Sequence, residues 1–182
     1  MHSKQYAAEN GAIINIIHGR ARDYLGAQNT DVFMTFIAQK YAFDSPINLL
    51  IGEILGAESM EHVFSAVKNA KSGDVVLQKS LSPDMPDIIF AVMPIWDTSL
   101  SNEEKFLSRC YRNGMKLAKQ NGYQRMIIPA LGKGKTNFPH QRIVRLSLSV
   151  ILAELSAPLS DLSILCAEEV MYNAYNARLA SV

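Results

Sequence analysis

The chain has 182 residues, 48% hydrophobic and 19% charged, the balance of one soluble globular domain long enough to bury a sizeable core. Its formal net charge of +1 gives no electrostatic case for a dedicated nucleic-acid binder. No apolar run reaches membrane-spanning length and the N-terminus (MHSKQYAAENG) lacks a signal-peptide core, so no membrane partner and a cytoplasmic location are expected. In chain order, residues 12–17 (AIINII) read as a buried strand, and residues 19–26 as a loop exposing Arg20, Arg22 and Asp23. Residues 30–43 read as a helix, because Phe33, Ile37 and Tyr41 recur at spacing four. Residues 46–51 (PINLLI) read as a second buried strand, residues 52–59 as a loop, and Val63, Phe64 and Val67 as part of the next helix.

Gly73-Asp74 turns the chain into Val75-Val76-Leu77, and residues 88–92 (IIFAV) make another buried strand. Ser101 and Glu104 have capping-box spacing at the start of a helix that carries Leu107, Tyr111, Met115 and Ala118 on one stripe. Asn121-Gly122 closes that helix. Met126, Ile127 and Ile128 form a short buried strand, and a helix from Pro139 turns Ile143, Leu146, Val150 and Ile151 inward. Residues 163–166 form the last strand and residues 168–179 the last helix. This alternation predicts a three-layer α/β/α sandwich with a mixed, mostly parallel central sheet and ligands at the carboxyl ends of its strands. Cys110 and Cys166 each fall inside an expected element, so free thiols in a reducing compartment are expected rather than a disulfide.

The most informative stretch is residues 125–145 (RMIIPALGKGKTNFPHQRIVR), a strand feeding a glycine-bearing loop into a helix. Gly132 and Gly134 let a ligand approach the main chain. The free N–H groups and positive dipole end of the following helix suit phosphate. Two readings compete. Gly134-Lys135-Thr136 matches the end of a P-loop, but the pattern requires glycine where Pro129 stands, and Asn137, Phe138 and Pro139 separate the Lys-Thr pair from the helix. The alternative is a phosphate-cradling loop of another α/β fold, and an ordinary strand-to-helix connection would also use such glycines for its turn. Lys133 and Lys135 would strengthen anion binding or form a solvated pair. No Cys/His cluster has metal spacing, no cofactor is implied, and His18 and His140 read as structural histidines.

From Gly73 onward the chain resembles a macro domain, the module associated with ADP-ribose. Residues 73–77 (GDVVL), 89–96 (IFAVMPIW, Met93 replacing the usual glycine), 108–122 (SRCYRNGMKLAKQNG), 128–139 (IPALGKGKTNFP) and 168–175 (EEVMYNAY) carry the likeness in order. The resemblance implies one domain over residues 1–182, with the helix around residues 27–45 as an insertion. It implies ADP-ribose, a related nucleotide or an ADP-ribosylated protein as partner. It assigns ligand contacts to Asn48, Gly56 and Ala57, and to Leu131, Gly132, Lys133, Gly134, Lys135, Thr136 and Phe138. Trp96 would line the site mouth. Residues 46–56 lie on the family's strand and catalytic loop, which places Ile51 where hydrolase members have an asparagine. Isoleucine cannot orient a water, so a binding module is expected, with an ADP-ribosyl hydrolase using other residues, or a macro-like fold repurposed for protein or RNA contact, as alternatives. Glu58 falls beside the expected diphosphate. The family's adenine-holding Gly-Asp pair is Gly19-Arg20, with Asp23 nearby.

Overall fold

The computed structural model describes residues 2–26, 30–38, 45–94, 102–131 and 138–181. Among the described residues, seven strands form one sheet in the order β1-β2-β7-β6-β3-β5-β4. They are β1 (His2–Ala7), β2 (Ile13–His18), β3 (Val32–Ala38), β4 (Val75–Gln78), β5 (Asp87–Met93), β6 (Arg125–Pro129) and β7 (Asp161–Cys166). The neighbours β2, β7, β6, β3 and β5 run parallel, whereas β1 and β4 pair antiparallel at the two edges. The α-helices among the described residues are α1 (Pro46–Val67), α2 (Glu103–Gln120), α3 (His140–Glu154) and α4 (Glu169–Leu179). This is the mixed, mostly parallel α/β sandwich expected from the alternation of elements.

Strand pleating divides the core in two. On β3, Val32, Met34 and Phe36 face one layer, where they meet Leu107, Tyr111 and Met115 of α2, Ile143 and Ile151 of α3, and Tyr175 of α4. Phe33 and Ile37 face the other, against Ile51, Leu55, Val63 and Val67 of α1. Because both faces are covered, β3 and β5 are apolar almost throughout. The expected stripe Leu107, Tyr111, Met115 and Ala118 on α2 is wholly buried. Of the α3 positions expected inward, Ile143, Val150 and Ile151 are buried and Leu146 is half-buried.

Two expectations are corrected. Residues 32–38 are strand β3, not an inserted helix. A spacing of four satisfies a period of two as well as one near 3.6, so Phe33 and Ile37 could not separate the two. Residues 46–51 are the start of α1, not a strand, and residues 52–59 continue that helix rather than forming a loop. Ser45 caps it, its hydroxyl accepting from Asn48 N–H at 3.1 Å, and Pro46 occupies the first turn where no N–H is needed. Gly56, at φ 80°, kinks α1 midway. Strand β1 came with no signal in the sequence, because its residues are mostly exposed and polar. Asn102 stands as the N-cap of α2 without a side-chain cap bond, and Ser101 lies outside the described residues.

Candidate functional site

At the carboxyl ends of β2, β6 and β7, beside the start of α1, lies a pocket of about 310 Å3. Parallel strands deliver their ends to one edge of the sheet, and the ladder runs one residue further: Gly19 N–H donates to Cys166 O at 3.0 Å and Ala130 N–H to Leu165 O at 2.8 Å. One side of the pocket is apolar, built by Ile47 and Leu50 of α1, Pro129 and Ala130 at the end of β6, and Leu165 of β7. The other is the turn that leaves β2, from Gly19 through Arg22.

That turn is shaped by a short 3-10 helix, Ala21–Asp23, closed by Asp23 N–H to Arg20 O (3.0 Å) and Tyr24 N–H to Ala21 O (3.0 Å). It folds Tyr24 back against Gly19, where a Cβ would come 3.1 Å from Tyr24 Cε2 and 3.6 Å from Leu165 Cδ1. A side chain at position 19 would therefore displace the tyrosine. Burial raises the Tyr24 phenol, and the neighbouring Asp23 charge raises it further.

Of the residues expected to touch a ligand, the structure places only some near this edge. Leu131 follows the pocket-lining Ala130 and is half-buried. Gly132, Lys133, Gly134, Lys135 and Thr136 lie outside the described residues, as does Trp96. Asn48 is corrected: it is 2% exposed, and its amide bonds to Thr35 and to the Phe36 carbonyl, so it joins α1 to β3. Phe138 is 2% exposed and packed in the core with α2 and α3, as a core residue rather than a ligand platform would be. Gly56 and Ala57 sit at the kink of α1, away from the lining of this pocket. Ile51 is a core residue of α1 at 1% exposure, so it holds no place in a catalytic loop. The objection to hydrolysis that rested on it falls.

Gly19-Arg20, which the resemblance set where the family has its adenine-holding Gly-Asp pair, lines the pocket. Ile47, Leu50 and Leu165 were missed. The signal for the first two was Ser45-Pro46, a helix start that turns 47 and 50 toward the strand ends. His18 packs its ring on Tyr172, centroids 5.8 Å apart, and His140 opens α3 with Nε2 buried and without a hydrogen bond. Among the described residues, no group of three His, Cys, Asp or Glu could hold a metal ion. What the pocket offers is an apolar slot for a flat ring and two exposed guanidinium groups beside it.

Comparison with known proteins gives one consistent answer. The family model described as Macro domain matches residues 38–147. A macro domain-containing protein of Cupriavidus necator is 24% identical over 131 residues, 69% of this chain and 76% of that one. An O-acetyl-ADP-ribose deacetylase of Enterobacter cloacae is 30% identical over 104 residues, 55% of this chain and 58% of the enzyme. Among solved structures, the Oceanobacillus iheyensis macrodomain with ADP superposes with a TM-score of 0.80 at 19% identity, covering 99% of this chain and 96% of that one. The Trypanosoma brucei macrodomain in complex with ADP-ribose does so with a TM-score of 0.72 at 18% identity, covering 91% and 68%.

Proposed function

The chain belongs to the macro domain family, and from that premise we propose that it binds ADP-ribose or a related phosphorylated nucleotide, free or attached to a protein. The observation that carries this reading is the pocket at the ends of β2, β6 and β7, whose apolar side from Ile47, Leu50 and Leu165 suits a nucleobase. Pro129 and Ala130, which line it, run directly into the glycine-bearing segment from Leu131 to Phe138. We assign the diphosphate to that segment on its sequence, because Gly132, Gly134, Lys133 and Lys135 suit an anion. The solved macrodomains with ADP and with ADP-ribose support the same ligand class. Two buried free thiols, Cys110 and Cys166, support a cytosolic setting.

Calorimetry with ADP-ribose, AMP and a single-stranded RNA tests the reading. Submillimolar binding of ADP-ribose, lost in Gly134→Val, supports it. Unchanged affinity in that folded variant would remove residues 131–138 from the site.

A hydrolytic reading has two observations in its favour. Ile51 lies in the core of α1, so it does not replace a catalytic residue, and a relative 30% identical over its matched span is an O-acetyl-ADP-ribose deacetylase. Acetate release from O-acetyl-ADP-ribose, and loss of ADP-ribose from a labelled protein, measure it directly.

A further inference from the structure

The charged side chains on the side of the pocket formed by the turn after β2 offer hydrogen-bond donors and no acceptor. Arg20 and Arg22 are the charged residues among the described lining, both exposed. Neither is paired with a carboxylate among the described residues. A guanidinium carries five N–H donors and no acceptor. Four main-chain carbonyls at this edge already accept hydrogen bonds. Arg20 O accepts from Asp23 N–H at 3.0 Å, Ala21 O from Tyr24 (3.0 Å) and Leu25 (2.9 Å), Leu165 O from Ala130 (2.8 Å), and Cys166 O from Gly19 (3.0 Å).

An exocyclic ring amine placed against Arg20 and Arg22 meets donors only, and loses there the hydrogen bonds it makes to water. A ring carbonyl or a phosphate meets two guanidinium groups and gains charge-assisted hydrogen bonds. We propose that this pocket selects a nucleotide presenting an acceptor to Arg20 and Arg22, either a 6-oxopurine carbonyl or an extra phosphate on the adjoining ribose, over one with unmodified adenosine. The inference rests on the nucleotide reading above and deepens it: the same slot takes the base, and the two arginines set which base end it keeps.

Calorimetry on the full chain, with ADP-ribose, its hypoxanthine counterpart and 2′-phospho-ADP-ribose in parallel, tests it. One acceptor-bearing ligand should bind about tenfold tighter than ADP-ribose, the order expected of charge-assisted hydrogen bonds at a partly solvated site, and its identity tells carbonyl from phosphate. Replacing Arg20 and Arg22 together by Gln should erase the preference while the melting temperature stays put, since both side chains are exposed. ADP-ribose binding as tightly as both rivals overturns the selectivity and leaves the nucleotide reading standing. A preference that survives the double replacement overturns the role of the arginines. Failure of all three ligands to bind at millimolar concentration overturns the nucleotide reading itself, and this inference with it.

Discussion

Thr35 and Asn48 are bonded across the join between β3 and α1: the threonine hydroxyl donates to Asn48 Oδ1 at 2.7 Å, and Asn48 Nδ2 donates to Phe36 O at 2.9 Å. Both side chains are 2% exposed. One buried asparagine thus satisfies a hydroxyl on the strand and a carbonyl of its main chain, and fixes how the helix starts beside the pocket edge. Asn48→Ala leaves both strand groups buried and unpaired, a loss of about 1–3 kcal/mol. Denaturant unfolding measures it, and a loss below a few tenths of a kcal/mol would return Asn48 to the list of ligand contacts. Thr35→Val in the same chain should recover part of the loss, because one of the two orphaned groups is then gone.

Close packing predicts a second effect. Gly114 on α2 lies against Met34 of β3; a Cβ there would overlap the methionine sulfur and come 3.3 Å from its terminal methyl. Gly114→Val forces Met34 to repack inside a core where it is 0% exposed, a cost of about 1–3 kcal/mol for overpacking. A melting temperature unchanged from wild type would mean that Met34 swings aside freely. Met34→Ala alongside Gly114→Val should then be less destabilised than the sum of the two single changes.

Much of the fold was readable from periodicity and apolar runs, and each failure has a physical cause. The helix stripe Leu107-Tyr111-Met115 matches one period, and the short apolar runs of β2, β5, β6 and β7 form strands as expected. Residues 32–38 and 46–51 are both short apolar runs; β3 is buried on both faces and α1 opens with Leu49 exposed, so neither shows the alternation that would tell strand from helix. Exchanging the two moved Asn48 and Ile51 onto the wrong element, so the expected site inherited the error. Strand β1 is half of an exposed edge pairing, and a polar edge leaves no apolar pattern to find. At the pocket, Gly19 and Arg20 were legible because a motif marked them. Leu50 and Leu165 were not, because only the fold brings a helix start and a strand end together.

Acid should destabilise the chain through the lower edge of the sheet. Burial alone would raise the Asp31 carboxyl, but the N–H groups of Arg125 and Gln124 and the Arg125 guanidinium (2.9 Å) together hold it below the ordinary carboxylate value. Asp87 is held low in the same way, against its own burial, by the Tyr123 hydroxyl, Ser80 N–H and Lys79. A carboxyl depressed in the folded state adds stability that is complete above its unfolded pKa of about 3.9 and disappears as pH falls through the lower folded value. Melting temperature should therefore hold between neutral pH and about pH 5 and then fall steeply. Asp31→Asn should lower it at neutral pH and flatten the acid slope, and an unaltered slope would show that other groups set it.

The two cysteines should resist alkylation while the chain is folded. Cys110 and Cys166 are each 0% exposed, and burial pushes both thiols up to about 12. At pH 8 the thiolate, the reactive form, is then on the order of one part in ten thousand. Iodoacetamide treatment followed by mass measurement should find no adduct on the native chain and two after denaturation. A single rapid adduct would identify an opening that exposes one face of the sheet.

The pocket itself predicts that filling it abolishes binding without unfolding the chain. Leu50 stands on the apolar side of a space of about 310 Å3 and is half-buried, so its side chain is not locked in the core. Leu50→Trp adds an indole to that side and takes up volume that a nucleobase needs, while the helix keeps its buried face of Ile51 and Leu55. ADP-ribose affinity should fall by about tenfold or more, the scale on which one lost base contact of 1–3 kcal/mol is felt. The melting temperature should move by less than about 4 °C, the shift that 1 kcal/mol produces in a domain of this size. Leu50→Ala, which opens the slot, should weaken binding only modestly. If tryptophan leaves affinity intact with the fold preserved, the base does not sit between Leu50 and Leu165. The pocket at the ends of β2, β6 and β7 would then have to be given up as the nucleotide site.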